Sequence, residues 1–147
     1  MSLAAAGNET TDAYKSFPAA YDEVIAVSAM ADTDGLPGGL GGPYVNCTSP
    51  PAQDDTFAPF SNFGAVIDIS APGVCVQSTY PGGFRAFADG TSFSTPLVAG
   101  GAALYRATHP LASPADVKAA LLANAEPGPI TGDPDAFPEG VLNVAGF

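Results

Sequence analysis

Gly90-Thr91-Ser92-Phe93-Ser94-Thr95-Pro96-Leu97-Val98-Ala99-Gly100-Gly101-Ala102-Ala103-Leu104-Tyr105 is the stretch on which the reading of the fold turns. A glycine leads into two hydroxyl residues, and a long run of small and apolar residues follows. No face of that run is polar, so the pattern predicts a helix buried all round. Pro96 fits its start, because the first turn of a helix has no N–H partners to lose. Ser92 then stands at the amino end, where free N–H groups and the helix dipole favour the negative charge of a developing oxyanion. A serine so placed is a candidate nucleophile. It is not the Gly-x-Ser-x-Gly elbow, since Ser94 stands where the second glycine would be. A capped core helix that merely begins with glycine is the plainer alternative.

Composition narrows the rest. At 147 residues the chain reads as one domain with enough apolar content for a real core. Lys and Arg number 4 against 15 Asp and Glu, a formal charge of −11, which argues against nucleic acid and anionic membrane as partners. Only 13% of residues are charged, and 17 Gly with 15 Pro make the chain loop-rich without making it a disordered acidic tail. No stretch is long and apolar enough to span a bilayer. Met1-Ser2-Leu3 runs straight into an alanine-rich segment, which reads as a new start placed on an internal piece of a longer protein.

The segments on either side are equally specific. Ala4-Ala5-Ala6 predicts a short buried strand, released by Gly7 into a turn at Asn8. Val24-Ile25-Ala26-Val27-Ser28-Ala29 is a β-branched run of the kind buried on both faces. Residues 31–60 change character: the glycine- and proline-rich run from Asp32 to Pro43 predicts a surface insertion, ending in a solvated acidic pair, Asp54-Asp55. That pair offers oxygen ligands for Ca²⁺, but the spacing matches no compact loop motif. Asp68 interrupts the run Val66-Ile67-Asp68-Ile69, which predicts a paired aspartate at a strand end. Ser113-Pro114-Ala115-Asp116 is a helix start, with Val117, Ala120, Leu121 and Ala125 as the apolar face.

Taken together, Gly90-Thr91-Ser92-x-x-x-Pro96 with Val98-Ala99-Gly100 resembles the serine motif of the subtilisin-like serine proteases (subtilases, peptidase S8). Ala6-Gly7-Asn8, Phe60-Ser61-Asn62-x-Gly64 with Ala71-Pro72-Gly73, and Gly140-x-x-Asn143-Val144 match further family segments in the family's order. The resemblance implies an α/β, three-layer subtilisin-like fold with a mostly parallel sheet, of which this chain holds the carboxyl-terminal portion across residues 1–147. It implies a secreted endopeptidase acting on peptide and protein substrates through an acyl-enzyme on Ser92, with Asn8 donating to the oxyanion. An amide suits that role because its N–H donors stay neutral. The resemblance puts Ala5, Ala6 and Gly7 along one wall of the primary specificity pocket, Ser16 near its floor, and Phe93 on the leaving-group side. It implies no required cofactor, and a structural Na⁺ or Ca²⁺ held by Asp68 with the carbonyls of Tyr21 and Val24. In a secreted protease Cys47 and Cys75 would form one disulfide, contributing roughly 3 kcal/mol by restricting the unfolded chain; two free thiols are the alternative.

A serine nucleophile needs a base. The one histidine, His109, lies at the far end of the predicted helix, about 25 Å from Ser92. That placement makes it a helix cap and not a base. The family's catalytic Asp and His segments precede its oxyanion asparagine, so the resemblance implies that both lie upstream of this chain. The chain alone is then expected to be inactive, with apolar surface left exposed for self-association. Two other readings stand beside this one. The first is a natural pseudoprotease or binding module on the same scaffold. The second is a generic α/β structural domain, which does not explain matched motifs in order.

Overall fold

The computed structural model describes residues 1–44, 51–127 and 130–147. Its centre is strand β2, Val24–Ala31, in which all eight residues are buried. Alternate carbonyls of β2 face opposite neighbours, as the pleat requires. Val27 and Ala29 accept from the N–H groups of Ala6 and Ala58, while Ala26 and Met30 accept from Asp68 and Gly73. On one side lies β1, Ser2–Ala5, parallel to β2; where it ends, the two-residue strand β3, Thr56–Phe57, continues antiparallel. On the other side lies β4, Ile69–Pro72, again parallel. Beyond β4 the tail adds a bridge from Val141 to Ser70.

Side chains of β2 alternate between two apolar environments. Ile25 and Val27 join Ile69 and Ala71 under helices α1, Thr91–Thr108, and α2, Pro114–Asn124, which contribute Val98, Ala102, Val117 and Leu121. Val24 and Ala26 pack with Ala4 and Ala19 on the opposite face. Helix α2 begins as its sequence predicts: Ser113 Oγ accepts from Asp116 N–H, and the Asp116 carboxylate accepts from Ser113 N–H, a reciprocal capping box. Strands β5, Val76–Tyr80, and β6, Phe84–Ala88, form a separate antiparallel hairpin turned by Gly82 and Gly83.

Two expectations need correction. Helix α1 is not buried all round; Leu97 is 40% and Leu104 53% exposed. Its packing partners are β1, β2, β4 and α2, all on one side, and among the described residues nothing covers the other. Nor is the end of the segment 31–60 a solvated loop. Asp54 and Asp55 are buried, and Phe57 and Ala58 enter the core. Backbone donors explain this burial: Asp54 accepts from Thr33 and Gly41 N–H, both at 2.7 Å, and Asp55 from Gly38 and Gly39 at 2.6 and 2.8 Å. Burial alone would push the Asp54 carboxyl up, but hydrogen bonds from Thr33, Gly41 and Asp55 outweigh it and hold the group below its ordinary value.

Glu139 is handled differently. Its side chain is buried in the tail and accepts from Ser28 Oγ of β2 at 2.5 Å. Burial, aided by the charges of Asp133 and Asp135, raises its carboxyl from 4.5 to about 7. No helix among the described residues is long and apolar enough to cross a membrane.

Replacing Leu121, which is fully buried between the helices and the sheet, with Ala should cost about 3 kcal/mol, read as a lower urea midpoint at unchanged slope. A second prediction concerns pH. Because folding raises the Glu139 pKa, its favourable contribution is complete below about pH 4.5 and is lost as pH rises through about 7. Between pH 5 and pH 8 the wild-type chain should therefore lose up to about 3 kcal/mol more stability than Glu139→Gln. Equal losses in paired urea titrations would refute this.

Candidate active site

The sheet delivers both halves of the site at one end. Strand β1 ends at Ala5, and Gly7 turns the chain with φ +108. A side chain at Gly7 would also run into Asn62 and Glu9, so both backbone and space require glycine. On the other side of β2, Gly73 follows β4 and donates to Met30 O at 2.9 Å; its carbonyl accepts from Gly90 N–H at 2.8 Å. A Cβ on Gly73 would collide with Ser94 Oγ and lie 2.7 Å from Ala29 Cβ, which ties the Ala-Pro-Gly motif to close packing of the serine loop. Gly90 caps α1 at φ +147, a conformation suited to glycine.

Asn8 closes the gap between these loops. Its Oδ1 accepts from Thr91 N–H at 2.9 Å and from the Thr91 hydroxyl at 3.0 Å, and Gly7 N–H donates to that hydroxyl at 3.3 Å. Because Oδ1 is held against the helix start, the Nδ2 donors are free to face outward; they have no partner among the described residues. Ser92, the second residue of α1, is exposed. A carbonyl oxygen brought to this spot would face the amino end of α1 and the Asn8 amide.

Asn62, fully buried, organises the wall beside it. Its Oδ1 accepts from Glu9 and Thr11 N–H at 3.0 and 3.1 Å. Its Nδ2 faces Ala6 O at 3.0 Å, Glu9 Oε2 at 2.8 Å and Ser16 Oγ at 3.1 Å. Ala6, Gly7 and Ser16, named from sequence as pocket residues, are thus gathered around one amide; Ala5 ends β1 next to them, and Phe93 is half-buried in the first turn of α1. Sequence reading gave Asn62, Thr91 and Glu9 no role, although the first two lie inside the quoted motifs.

No base stands beside Ser92 among the described residues. His109 follows α1, its N–H donating to Tyr105 O at 2.9 Å and its ring stacked on Tyr105 at 4.2 Å between centroids. Asp89 is committed to Cys75 N–H at 2.6 Å, holding that residue at φ +55. Cys75 is disulfide-bonded, and Cys47, its expected partner, lies outside the described residues.

The cation expectation meets an obstacle. Asp68 and Val24 O do converge, while Tyr21 O accepts from Val24 N–H at 2.9 Å. The positive charge at their centre is the Lys118 ammonium, 2.8 Å from Asp68 Oδ1, 2.9 Å from Oδ2 and 3.1 Å from Val24 O. The donor set is spent on a side chain of the protein and does not fit an added ion. Elsewhere Asp32, Asp34 and Asp54 bring one carboxylate oxygen each within 4.8 Å of one another, with Asp54 already hydrogen-bonded to the loop backbone.

Comparison with known proteins agrees with the fold. Subtilisin BL of Lederbergia lenta is 42% identical over 108 residues, 74% of this chain and 32% of its own length. Subtilisin amylosacchariticus of Bacillus subtilis subsp. amylosacchariticus is 36% identical over 144 residues, 96% of this chain and again 32% of its own length. The chain therefore spans about a third of the length of these curated relatives. A crystal structure of a cold adapted subtilisin-like serine proteinase superposes with a TM-score of 0.75 at 28% identity, covering 94% of this chain and 42% of that one. The sheet of parallel strands under α1 and α2 is thus part of a subtilisin-like α/β fold. The Subtilase family profile matches residues 1–147, and the chain belongs to that family.

Proposed function

We propose that this chain is the carboxyl-terminal half of the catalytic domain of a secreted subtilisin-like serine endopeptidase. The observation that supports this best is the bond from Thr91 N–H to Asn8 Oδ1, which sets a free amide beside the helix start that carries Ser92. In the reaction, Ser92 Oγ attacks the peptide carbonyl carbon while a base supplied from outside this chain removes its proton. The carbonyl oxygen becomes an oxyanion, held by the Ser92 N–H and Asn8 Nδ2. Collapse expels the amine and leaves an acyl-enzyme on Ser92, which water then hydrolyses. Ala5, Ala6, Gly7 and Ser16 line the pocket for the residue before the scissile bond, and small side chains there leave room for a large apolar group. Phe93 faces the departing segment. This chemistry calls on no cofactor.

A pseudoprotease or binding module is the second reading. It draws on one observation: among the described residues no imidazole stands near Ser92, since the sole histidine caps the far end of α1. Treating the purified chain with a fluorophosphonate, beside a Ser92→Ala control, separates the possibilities. We expect no adduct and no turnover of casein by the chain alone; a Ser92-dependent signal in either assay overturns the inactive-half reading. Joined to a family segment carrying the missing Asp and His, the chain should become active. Ser92→Ala should then abolish turnover. Asn8→Ala should lower kcat by about a hundred- to a thousandfold with KM little changed, the cost measured for removing such a donor from subtilisin. An active hybrid insensitive to Asn8→Ala would remove Asn8 from the oxyanion site. Failure of the hybrid to label would favour the pseudoprotease.

The exposed side of α1, with Leu97 and Leu104, and the hairpin residues Phe84 and Phe87 give the isolated chain apolar surface on which to self-associate. Light scattering should show a mass that rises with concentration, and a constant monomer mass would count against it.

A further inference from the structure

The obstacle at Asp68 has a positive meaning. Lys118 lies on α2 one residue after Val117, whose side chain is fully buried in the core, so the lysine leaves the helix at the edge of the sheet. There its ammonium meets three acceptors: the Asp68 carboxylate at 2.8 and 2.9 Å, Val24 O at 3.1 Å and Asp22 O at 3.4 Å. An ammonium has three N–H donors, and this cradle takes all of them. Asp68 Oδ2 is itself fixed by Ala26 N–H at 3.0 Å, so the carboxylate is anchored to β2 before the lysine arrives. The pair is partly screened from water, with side-chain exposures of 27% and 20%, and borders a cavity of about 280 Å³ lined by Ala19, Tyr21 and Asp22. Lys118 is also the only partner in an ion pair among the described residues, in a chain with 15 acidic residues.

We propose that Lys118 is the resident cation of this cradle: its ammonium takes the place of an inorganic ion, and removing it opens a binding site for a small monovalent cation. The acceptors are hard oxygens of a carboxylate and two carbonyls, the donor chemistry that alkali and alkaline-earth ions take. They surround the ammonium at 2.8 to 3.4 Å, wider than the roughly 2.3–2.6 Å of a Ca²⁺ shell. The vacated cradle is therefore matched to K⁺ before Ca²⁺. While the lysine is present, the acceptors are engaged by its ammonium and a second positive charge would stand beside it. Stability of the wild-type chain is then indifferent to which small cation is supplied.

The test is the thermal midpoint of the wild-type chain and of Lys118→Met, which keeps an apolar stem on α2 while deleting the charge. Each is measured in potassium chloride and in tetramethylammonium chloride at equal ionic strength, because a chain of charge −11 responds to salt generally. The wild type should melt at the same temperature in both salts. Lys118→Met should melt about 5 °C lower in tetramethylammonium chloride and recover at least half of that, saturably, in potassium chloride. Adding Asp68→Asn should abolish the recovery, which locates the ion. A variant that folds only in potassium chloride supports the proposal equally. If Lys118→Met is unfolded in both salts, Lys118→Gln is measured in the same way, and failure of both variants to respond to K⁺ overturns the proposal. So does a K⁺-specific stabilisation of the wild type that disappears with Asp68→Asn.

Discussion

The parallel pairing of β2 with both β1 and β4 sets the positions of the candidate site's residues. Parallel neighbours end on the same side of a sheet, so the loops that follow them emerge together. From β1 comes the turn at Gly7 and Asn8; from β4 comes Gly73, hydrogen-bonded onward to Gly90 and the start of α1. Two residues far apart in sequence thereby reach hydrogen-bond distance without any long excursion of either loop. Burial of β2 on both faces makes the arrangement stiff, since a shift of register would expose its apolar residues and bury nothing in exchange.

Charge is managed with few cations. Four basic residues face 15 acidic ones, and most of the carboxylates that the fold brings inward are answered by backbone N–H groups. Buried Asp54 and Asp55 each fix a loop in this way, and the exposed Asp89 and Asp116 take backbone N–H groups at the surface. Amides neutralise a carboxylate without desolvating a second ion, so this solution avoids the penalty of burying two charges. Glu139 uses a different solution and tends to keep its proton. Asp68 alone, among the described residues, is met by a side-chain cation.

Much of this was legible before the structure. Local signals carried the start of α1 at Gly90, the N-cap at Ser113, the doubly buried strand at Val24 and the placement of His109 as a cap. Each depends on residues a few positions apart, where composition and spacing determine the outcome. What escaped was set by partners distant in sequence. Asn62 gathers Ala6, Glu9, Thr11 and Ser16 across about fifty residues of chain, and nothing near Asn62 advertises those contacts. Asp54-Asp55 looked solvated because their neutralising amides belong to glycines 13 to 17 residues earlier. Lys118 meets Asp68 across 50 positions, and its neighbours on α2 carry no sign of that contact. The apolar run of α1 reads as a helix, but composition alone does not reveal how many sides of it find a partner.

The bond between Asn8 and Thr91 spans 83 positions, and this separation orders assembly in time. A helix such as α1 can form from its own residues in about a microsecond, whereas contacts between distant segments wait on closure of the long loop between them. Ser92 can therefore occupy a helix start well before the amide of Asn8 reaches it. Ser92 belongs to a local element; the Asn8 amide beside it belongs to the finished topology. A chain that has formed its helices but not closed its sheet would carry Ser92 at its helix start with nothing opposite it, so that assembly of this candidate site measures completion of folding and not helix content.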